Sequence, residues 1–404
     1  MTAAAATPAV RRAGDRLGVW CGWVMVGAAV LVPLLGWLSP LGFAALLAVM
    51  GLLCLPAIRM RDEDRPVLIV LLGALVWAAV STTWSPQRPK PGGHGAILEL
   101  ALALPLYWSA ICGARRADPR LNRLALQVLT WGLAALGVML LADIFADARI
   151  YRWLHESYYE PIRHDLARSN VAHDTFVLAV LWPVVLVGGL RGFTGLIPLG
   201  LAIAGTVATA YAFGSDAPVL AFPLSAGAIL AVWLLPRLGP RLMGLGAAAV
   251  GFLMPALVWL VRTHTDYGRL EQEVQLSWSA RMSYWSHTLD WILQHPFKGW
   301  GLDASRAMGP GIALHPHNSA LQIWLELGFV GAVAAAAFWG LSLVRLSREK
   351  ADLPMSGVAG SMAVFLLFSW INYGQWQQWW IALGVLVAVV AAMLEHRDPT
   401  PKST

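Results

Sequence analysis

Two histidines flank a proline in the segment His315-Pro316-His317-Asn318, directly before a long apolar run. Proline favours the first turn of a helix, because its missing N–H would be unpaired there anyway. The sequence therefore predicts a helix that begins at Pro316, with His317 and Asn318 in its first turn and His315 at the cap. The N–H groups of a helix start favour an anion such as phosphate and disfavour an imidazolium. A neutral imidazole is the form that a general base needs. Both histidines are thus candidate catalytic residues, and the alternative is that they only cap the helix.

A polar stripe continues from this segment into the predicted helix. Asn318, Gln322 and Glu326 recur every fourth residue and therefore share one helix face. Glu326 lies roughly 12 Å below the cap, at about 1.5 Å per residue, where an ionisable side chain should face the bundle interior and have a partner. These three residues are predicted to support the site. The alternative for Glu326 is a buried structural hydrogen bond.

Four arginines in two long polar segments are candidates to bind a diphosphate: Arg163, Arg168, Arg269 and Arg281. The planar guanidinium suits phosphate, because it donates two parallel hydrogen bonds and stays charged. The alternative for each arginine taken singly is a solvated or lipid-headgroup-binding side chain.

The elements that must position these residues are membrane-spanning helices. The chain has 404 residues, of which 58% are hydrophobic and 13% are charged, so it carries more apolar surface than a soluble fold of this size buries. Spans of roughly 17–25 apolar residues cross a bilayer. The sequence predicts one all-α polytopic membrane domain over 1–404 with about twelve transmembrane helices, near 18–38, 40–58, 67–84, 94–113, 124–146, 173–190, 194–213, 218–235, 241–261, 318–344, 357–372 and 377–395.

The distribution of positive charge predicts the orientation of these helices. Most of the 29 lysines and arginines fall in segments that share one side if the N-terminus is cytoplasmic, and the short loops on the other side hold only Arg88 and Lys90. The positive-inside rule therefore places both termini in the cytoplasm. It leaves two long loops on the outer face, 147–172 and 262–317.

The larger loop, 262–317, is predicted to contain two amphipathic helices on or near the membrane surface. Its apolar residues recur at spacings of three and four: Leu270, Val274, Trp278, Met282, Trp285, Leu289 and Ile292. Ser277 and Ser279 are candidate N-caps at the break between the two helices. Pro296 should end the second helix, and the glycines from Gly299 to Gly311 should form a flexible connection to the tenth span.

Several functional classes find no support in the sequence. It contains no Walker sequence, no dinucleotide-binding glycine fingerprint, no GxSxG elbow and no Cys or His cluster with metal-ligand spacing. We therefore expect no metal, no cofactor and no nucleic-acid partner. The outer face has no nucleotide supply, so a transfer reaction there needs a substrate that is activated in advance.

The segment from His317-Asn318 to Gly328-Phe329-Val330-Gly331 resembles the signature of the O-antigen ligase and polymerase superfamily. Upstream, Pro296-Phe297-Lys298-Gly299-Trp300-Gly301-Leu302 resembles the proline and glycine run of that family, and Arg281 with Trp285 resembles its earlier arginine and tryptophan. The resemblance covers about 277–331. One departure is Gly214-Ser215-Asp216, where many relatives carry Ser-Arg-Gly, so Arg168 or Arg163 would have to substitute for that arginine.

The resemblance implies an O-antigen ligase of the bacterial inner membrane with a periplasmic active site. Such an enzyme transfers a polysaccharide from undecaprenyl diphosphate to a sugar hydroxyl of lipid A–core, without metal or ATP. By analogy His317 would deprotonate or orient the acceptor hydroxyl, while the arginines would stabilise the departing diphosphate.

Three alternatives remain open at this point. An O-antigen polymerase and a protein O-oligosaccharyltransferase belong to the same superfamily and use related donors. A secondary transporter or flippase belongs to another class, in which Glu99, Asp174 and Glu326 would form an ion path.

Overall fold

A computed structural model describes residues 15–88, 95–187, 193–309 and 311–395. Over these residues the chain is all-helical, as predicted, and no strand occurs among them. Lys90, the first 14 residues and residues 396–404, which bear on the predicted orientation, lie outside this description. The α-helices are α1 (Arg16–Leu38), α2 (Gly42–Leu53), α3 (Arg65–Ser81), α4 (Ala96–Arg116), α5 (Pro119–Phe145), α6 (Arg149–Tyr158), α7 (His164–Val187), α8 (Phe193–Phe213), α9 (Ala217–Leu234), α10 (Gly239–His264), α11 (Tyr267–Glu273), α12 (Leu276–Gln294), α13 (Ser319–Val344), α14 (Leu353–Ile371) and α15 (Gln378–Glu395).

Ten helices in the described part of the chain are long and apolar enough to cross a membrane. Each coincides with a predicted span, which confirms a polytopic α-helical membrane protein. The remaining two predicted spans correspond to the 24-residue α7 and the 12-residue α2. The exact number of membrane crossings stays a prediction.

Small residues let neighbouring helices approach closely in the bundle. A Cβ atom added to Gly137 of α5 would lie 2.4 Å from the carbonyl oxygen of Leu201 in α8, and one added to Gly205 would lie 2.4 Å from the carbonyl oxygen of Gly137. Lipid tails are as apolar as leucine, so membrane helices associate through such close packing more than through hydrophobic burial. The α5–α8 contact therefore depends on both glycines.

A buried carboxylate joins helix ends at the face predicted to be cytoplasmic. Asp64 is fully buried and accepts two hydrogen bonds from Arg115, at 2.8 and 3.1 Å, and one from Arg345 at 2.6 Å. The two cations compensate the cost of burying this charge. The contacts tie the start of α3 to the ends of α4 and α13, and the candidate site residues lie at the opposite ends of the helices.

The larger loop contains two helices, α11 and α12, as the apolar spacing predicted. Ser277 and Ser279 are not the N-cap, because α12 begins one residue earlier, at Leu276, with Gln275 at the cap position. The helix ends at Gln294, just before Pro296, as expected. Its inner face packs through Leu289 and Ile292. The position of both helices at a membrane surface stays a prediction.

Candidate active site

The helix that carries the polar stripe begins at Ser319, three residues later than predicted from Pro316. Asn318 is the N-cap residue, and its side-chain oxygen accepts a hydrogen bond from the N–H of Leu321 at 3.0 Å. The side chain of asparagine is a stronger helix-start signal here than the proline ring. His317 therefore lies outside the first turn, in the left-handed region with φ of 53°.

His317 is oriented by a backbone carbonyl group. Its Nδ1 atom lies 2.9 Å from the carbonyl oxygen of Asn372. A carbonyl oxygen can only accept, so Nδ1 carries the proton and the lone pair resides on Nε2. Burial lowers the pKa of His317 below its usual range, with a smaller contribution from Arg281 in the same direction. The imidazole is therefore neutral near pH 7, and Nε2 forms no hydrogen bond within the described part of the protein.

His315 has both ring nitrogens engaged. Nδ1 accepts the backbone N–H of His317 at 3.1 Å, and Nε2 lies 3.1 Å from the side-chain amide of Gln377. Because Nδ1 accepts, Nε2 must carry the proton and needs an acceptor. The side-chain oxygen of Gln377 is the part of that amide which can accept this proton. Burial lowers the pKa of His315 to about 4. His315 thus binds the backbone of His317, which is a positioning contact, and its predicted catalytic role stays a prediction.

The segment before α13 is braced in a strained conformation. Leu314 and His317 both have positive φ angles, 65° and 53°, which side chains with a Cβ atom rarely adopt. The indole N–H of Trp285 donates to the carbonyl oxygen of Pro316 at 3.0 Å. The ring of Tyr284 lies nearly parallel to that of His317, with 5.9 Å between centroids. Helix α12 therefore fixes the histidine from one side, and α14 and its following loop fix it from the other.

The polar stripe supports this loop from below. Asn318, Gln322 and Glu326 are all buried on one face of α13. The carboxylate of Glu326 accepts hydrogen bonds from the N–H of Asp303 at 2.7 Å, from the Gln322 amide at 2.9 Å and from the Trp376 indole at 2.5 Å. Because its carboxylate accepts several hydrogen bonds, Glu326 fits the alternative stated above, a buried structural hydrogen bond.

A kink at Gly328 docks the proline and glycine run against α13. Gly328 has φ 63° and ψ −158°, and a Cβ atom there would lie 2.4 Å from the carbonyl oxygen of Phe297. The carbonyl groups freed by the kink accept the N–H of Trp300 and of Gly301, each at 2.8 Å. The connection to α13 is therefore held by hydrogen bonds at Trp300 and Gly301, and the expectation of a flexible linker is wrong there.

A cavity of about 450 Å³ lies beside the histidine loop. Its walls come from the start of α7, the turn between α8 and α9, the start of α12 and the end of α14. Two of the four predicted arginines, Arg168 and Arg281, line it. The Arg168 guanidinium packs over the Phe213 ring at 5.0 Å and donates to the carbonyl oxygen of Ala212 at 3.2 Å.

Arg281 connects this cavity to the histidine. One guanidinium nitrogen donates to the side-chain oxygen of Asn372, the residue whose backbone carbonyl binds His317. Another donates to the carbonyl oxygen of Ser277 at 3.2 Å, and the guanidinium lies 5.2 Å from the Trp278 ring centre. Asn372 thus joins the cavity side of the site to the imidazole.

The other two arginines lie apart from the cavity lining. Arg163 pairs with Asp165 at 2.5 Å and its side chain is 82% exposed, while Arg269 pairs with Glu273 at 2.6 Å and is 73% exposed. The turn at Gly214 lines the cavity together with Arg168. Of the two arginines considered as substitutes for the missing family arginine, the structure brings only Arg168 to this turn.

Sequence reasoning missed Asn372, Gln377 and the cavity residue His173. The available signal was the short polar run Asn372-Tyr373-Gly374-Gln375 between two apolar spans. In the part of the chain that is described, no group of three or more His, Cys, Asp or Glu side chains is arranged to hold a metal ion. Metal independence stays a prediction.

The fold and the site define a multi-pass α-helical membrane protein with a histidine centre beside an arginine-lined cavity. A family model described as O-Antigen ligase matches residues 200–336, about a third of the chain. The match contains the turn at Gly214, Arg281, both histidines and the Gly328 kink. Residues 200–336 of the chain are therefore similar to the O-antigen ligase family.

Curated proteins are also similar to part of the chain. Three proteins named "Putative polysaccharide ligase" are similar, from Rickettsia conorii (29% identical over 139 residues), Rickettsia prowazekii (28% over 142) and Rickettsia felis (26% over 138). Each match covers 31% of this chain and 34% of the relative, so the chain spans about a third of the length of these relatives. No solved structure matches the chain.

Proposed function

We propose that this protein is an O-antigen ligase, which transfers O-antigen polysaccharide from undecaprenyl diphosphate to a sugar hydroxyl of lipid A–core. The observation that carries the proposal is the pair of contacts made by Asn372. Its backbone carbonyl fixes the tautomer of His317, and its side-chain oxygen binds Arg281. The proposed base and the arginine proposed to bind the diphosphate are thereby held next to each other by one residue.

The donor diphosphate occupies the cavity in this proposal. Arg168 and Arg281 reach it from α7 and α12. The leaving diphosphate gains negative charge as its glycosyl bond breaks, so cations held nearby bind the transition state more strongly than the ground state. The prenyl chain lies among the membrane helices. Arg163 and Arg269 are outside the cavity lining; Arg163 pairs with the lining residue Asp165 and Arg269 pairs with Glu273, so neither is a first choice for the diphosphate contact.

The acceptor hydroxyl meets His317 in this proposal. Nε2 takes the hydroxyl proton while the acceptor oxygen forms its bond to the anomeric carbon of the donor sugar. The bond between that carbon and the phosphate oxygen breaks, and its electron pair leaves with the diphosphate. The imidazolium then returns its proton to water, which leaves the enzyme unchanged. His315, Asn318, Gln322 and Glu326 act through the position of His317.

The cellular arrangement follows from the predicted orientation. The site lies at the helix ends opposite the Asp64 cluster, which corresponds to the periplasmic face if both termini are cytoplasmic. Undecaprenyl-linked polysaccharide and lipid A–core are both lipids, so each can reach the site from the outer leaflet of the inner membrane.

The test uses purified protein in lipid nanodiscs with undecaprenyl-diphosphate-linked polysaccharide and lipid A–core, and His317→Ala as the control. Glycan on the core lipid, absent with the variant and unaffected by a chelator, is the expected product. Elongation on undecaprenyl diphosphate alone would instead identify a polymerase, and glycan attached to added protein would identify an oligosaccharyltransferase. Loss of activity in the chelator with rescue by Mg²⁺ would contradict metal independence.

A further inference from the structure

The cavity contains an imidazole that the proposed reaction has not used. Asp165, Arg168, Ser169, Ala172, His173 and Phe176 line it from one face of α7, at the spacings of three and four that a helix imposes. His173 is exposed to the cavity. Its ring contacts that of Phe176, with 6.2 Å between centroids. Neither nitrogen of His173 forms a hydrogen bond within the described part of the protein, so both remain available to a ligand.

The charged residues of the cavity wall do not by themselves compensate the charge of a bound diphosphate. The wall carries Arg168 and Arg281, and also Asp165 and Asp216. Asp165 binds Arg163, and Asp216 accepts a hydrogen bond from Gln275 at 3.1 Å. Arg168 also pairs with Asp147 at 3.5 Å. With these partners included, three arginines (Arg163, Arg168 and Arg281) and three aspartates (Asp147, Asp165 and Asp216) balance formally, whereas a glycosyl diphosphate diester brings two negative charges. A buried anion needs compensating charge or hydrogen bonds to offset its desolvation.

We propose that His173 is a third donor-binding residue, which donates a hydrogen bond to the diphosphate and takes up a proton when the diphosphate binds. This inference rests on the proposed function, because it assumes a diphosphate in the cavity. Before binding, burial and the charge of Arg281 from α12 disfavour a charged imidazole. The other charged groups of the cavity wall are Arg168 and Asp165 on α7 and Asp216 from the α8–α9 turn. The bound diphosphate adds negative charge and shifts this balance towards the imidazolium.

The proposal separates the roles of the histidines. His317 must be neutral to accept a proton from the acceptor, whereas His173 becomes charged to hold the donor. Donor binding should therefore weaken as pH rises and the imidazolium becomes harder to form. A purely structural role for His173 would produce no such proton uptake.

The test measures binding of a short-chain prenyl-diphosphate-linked N-acetylglucosamine to the full protein in nanodiscs. The phosphates of this probe are diesters and do not titrate near neutral pH, so any proton uptake belongs to the protein. Calorimetry in buffers of different ionisation enthalpy, at about pH 6 and about pH 8, reports affinity and proton uptake together. The variants are His173→Phe and His173→Asn, and His264→Phe at the end of α10 is the matched control outside the cavity.

We expect wild type and His264→Phe to bind more tightly at about pH 6, with proton uptake. His173→Phe should bind about tenfold more weakly there, the loss expected for one hydrogen bond to a charged group. His173→Asn keeps a donor but should show no proton uptake. Wild-type affinity and uptake in both folded His173 variants would overturn the role of His173. A wild type that does not bind the probe would overturn this role and the proposed donor together. Binding without transfer to lipid A–core would contradict only the ligase assignment.

Discussion

The Nδ1 atom of His317 lies 2.9 Å from the backbone carbonyl oxygen of Asn372, which closes the loop after α14 onto the loop before α13. A backbone acceptor cannot be removed by changing a side chain, so the tautomer of His317 depends on where the chain runs. The fold therefore determines which nitrogen of His317 is basic. Side-chain substitutions can test the proton-accepting role of His317 separately from the roles of the residues that position it.

His317→Ala should lower transfer by roughly two to four orders of magnitude, the range for removal of a general base. His315→Ala should be milder, because it removes the acceptor for the His317 backbone N–H and the contact with Gln377 but leaves the imidazole of His317 in place. Turnover by purified protein at matched insertion and thermal stability tests this order. Near-normal transfer by folded His317→Ala would disprove the role of the base.

Arg281→Lys should lower turnover more than it raises the KM for the donor. Lysine keeps the charge but loses the planar fork that binds Asn372 and Ser277 at once. Arg168→Ala should give a similar defect, and Arg269→Ala, at an exposed salt bridge, should stay close to wild type. Kinetics measured separately against donor and acceptor check this expectation. Defects confined to the KM for the acceptor would instead indicate that Arg168 and Arg281 bind the lipid A–core acceptor.

Asn372→Ala should reduce turnover about tenfold or more without abolishing it. The backbone carbonyl that orients His317 remains, but Arg281 loses its side-chain acceptor, and an unpaired buried donor costs roughly 1–3 kcal/mol. Asn372→Asp keeps an acceptor and should retain more donor affinity than the alanine variant. Equal donor affinity in wild type and Asn372→Ala would show that Arg281 needs no such partner.

The pH dependence of turnover at saturating donor should follow His317. Because burial lowers its pKa, the imidazole stays neutral until the pH falls well below the usual value of about 6.5. Turnover should therefore hold constant from neutral pH downward and be lost only as the pH passes the lowered pKa. A pH–rate profile with saturating donor measures this loss of turnover at acidic pH. A midpoint of the loss above pH 6.5 would contradict the buried neutral base.

Gly328→Ala should destabilise the folded protein by roughly 2–5 kcal/mol, because it adds a Cβ at positive φ and in contact with Phe297. Gly246→Ala in α10 is the matched control, since its Cβ would meet no atom within 4 Å. Thermal unfolding in detergent compares the two variants. Equal stability of the two variants would show that the segment from Pro296 to Leu302 can move to accommodate the added Cβ atom without loss of folding free energy.

The spans were predictable because apolar length alone specifies a helix in a bilayer, and the stripe of Asn318, Gln322 and Glu326 followed from helical spacing. The start of α13 was not, since Pro316 and Asn318 both signal a helix start and only tertiary contacts decide between them. The cavity was beyond sequence reasoning, because its walls come from four distant segments. The same is true of Asn372, whose two contacts depend on where the loop after α14 turns.

Helix α3 forms hydrogen bonds with residues that are synthesised much later than the helix itself. The indole of Trp77 donates to the carbonyl oxygen of Leu327, 250 residues further along the chain, and Ser81 accepts the N–H of Leu302, 221 residues away. Both contacts require the kinked segment of α13. A ribosome must therefore deliver most of the protein before α3 finds these acceptors and donors, and contacts of such large sequence separation form slowly. During biogenesis α3 is synthesised before these partners exist, so a chain interrupted before Leu302 would leave the Trp77 indole without its acceptor.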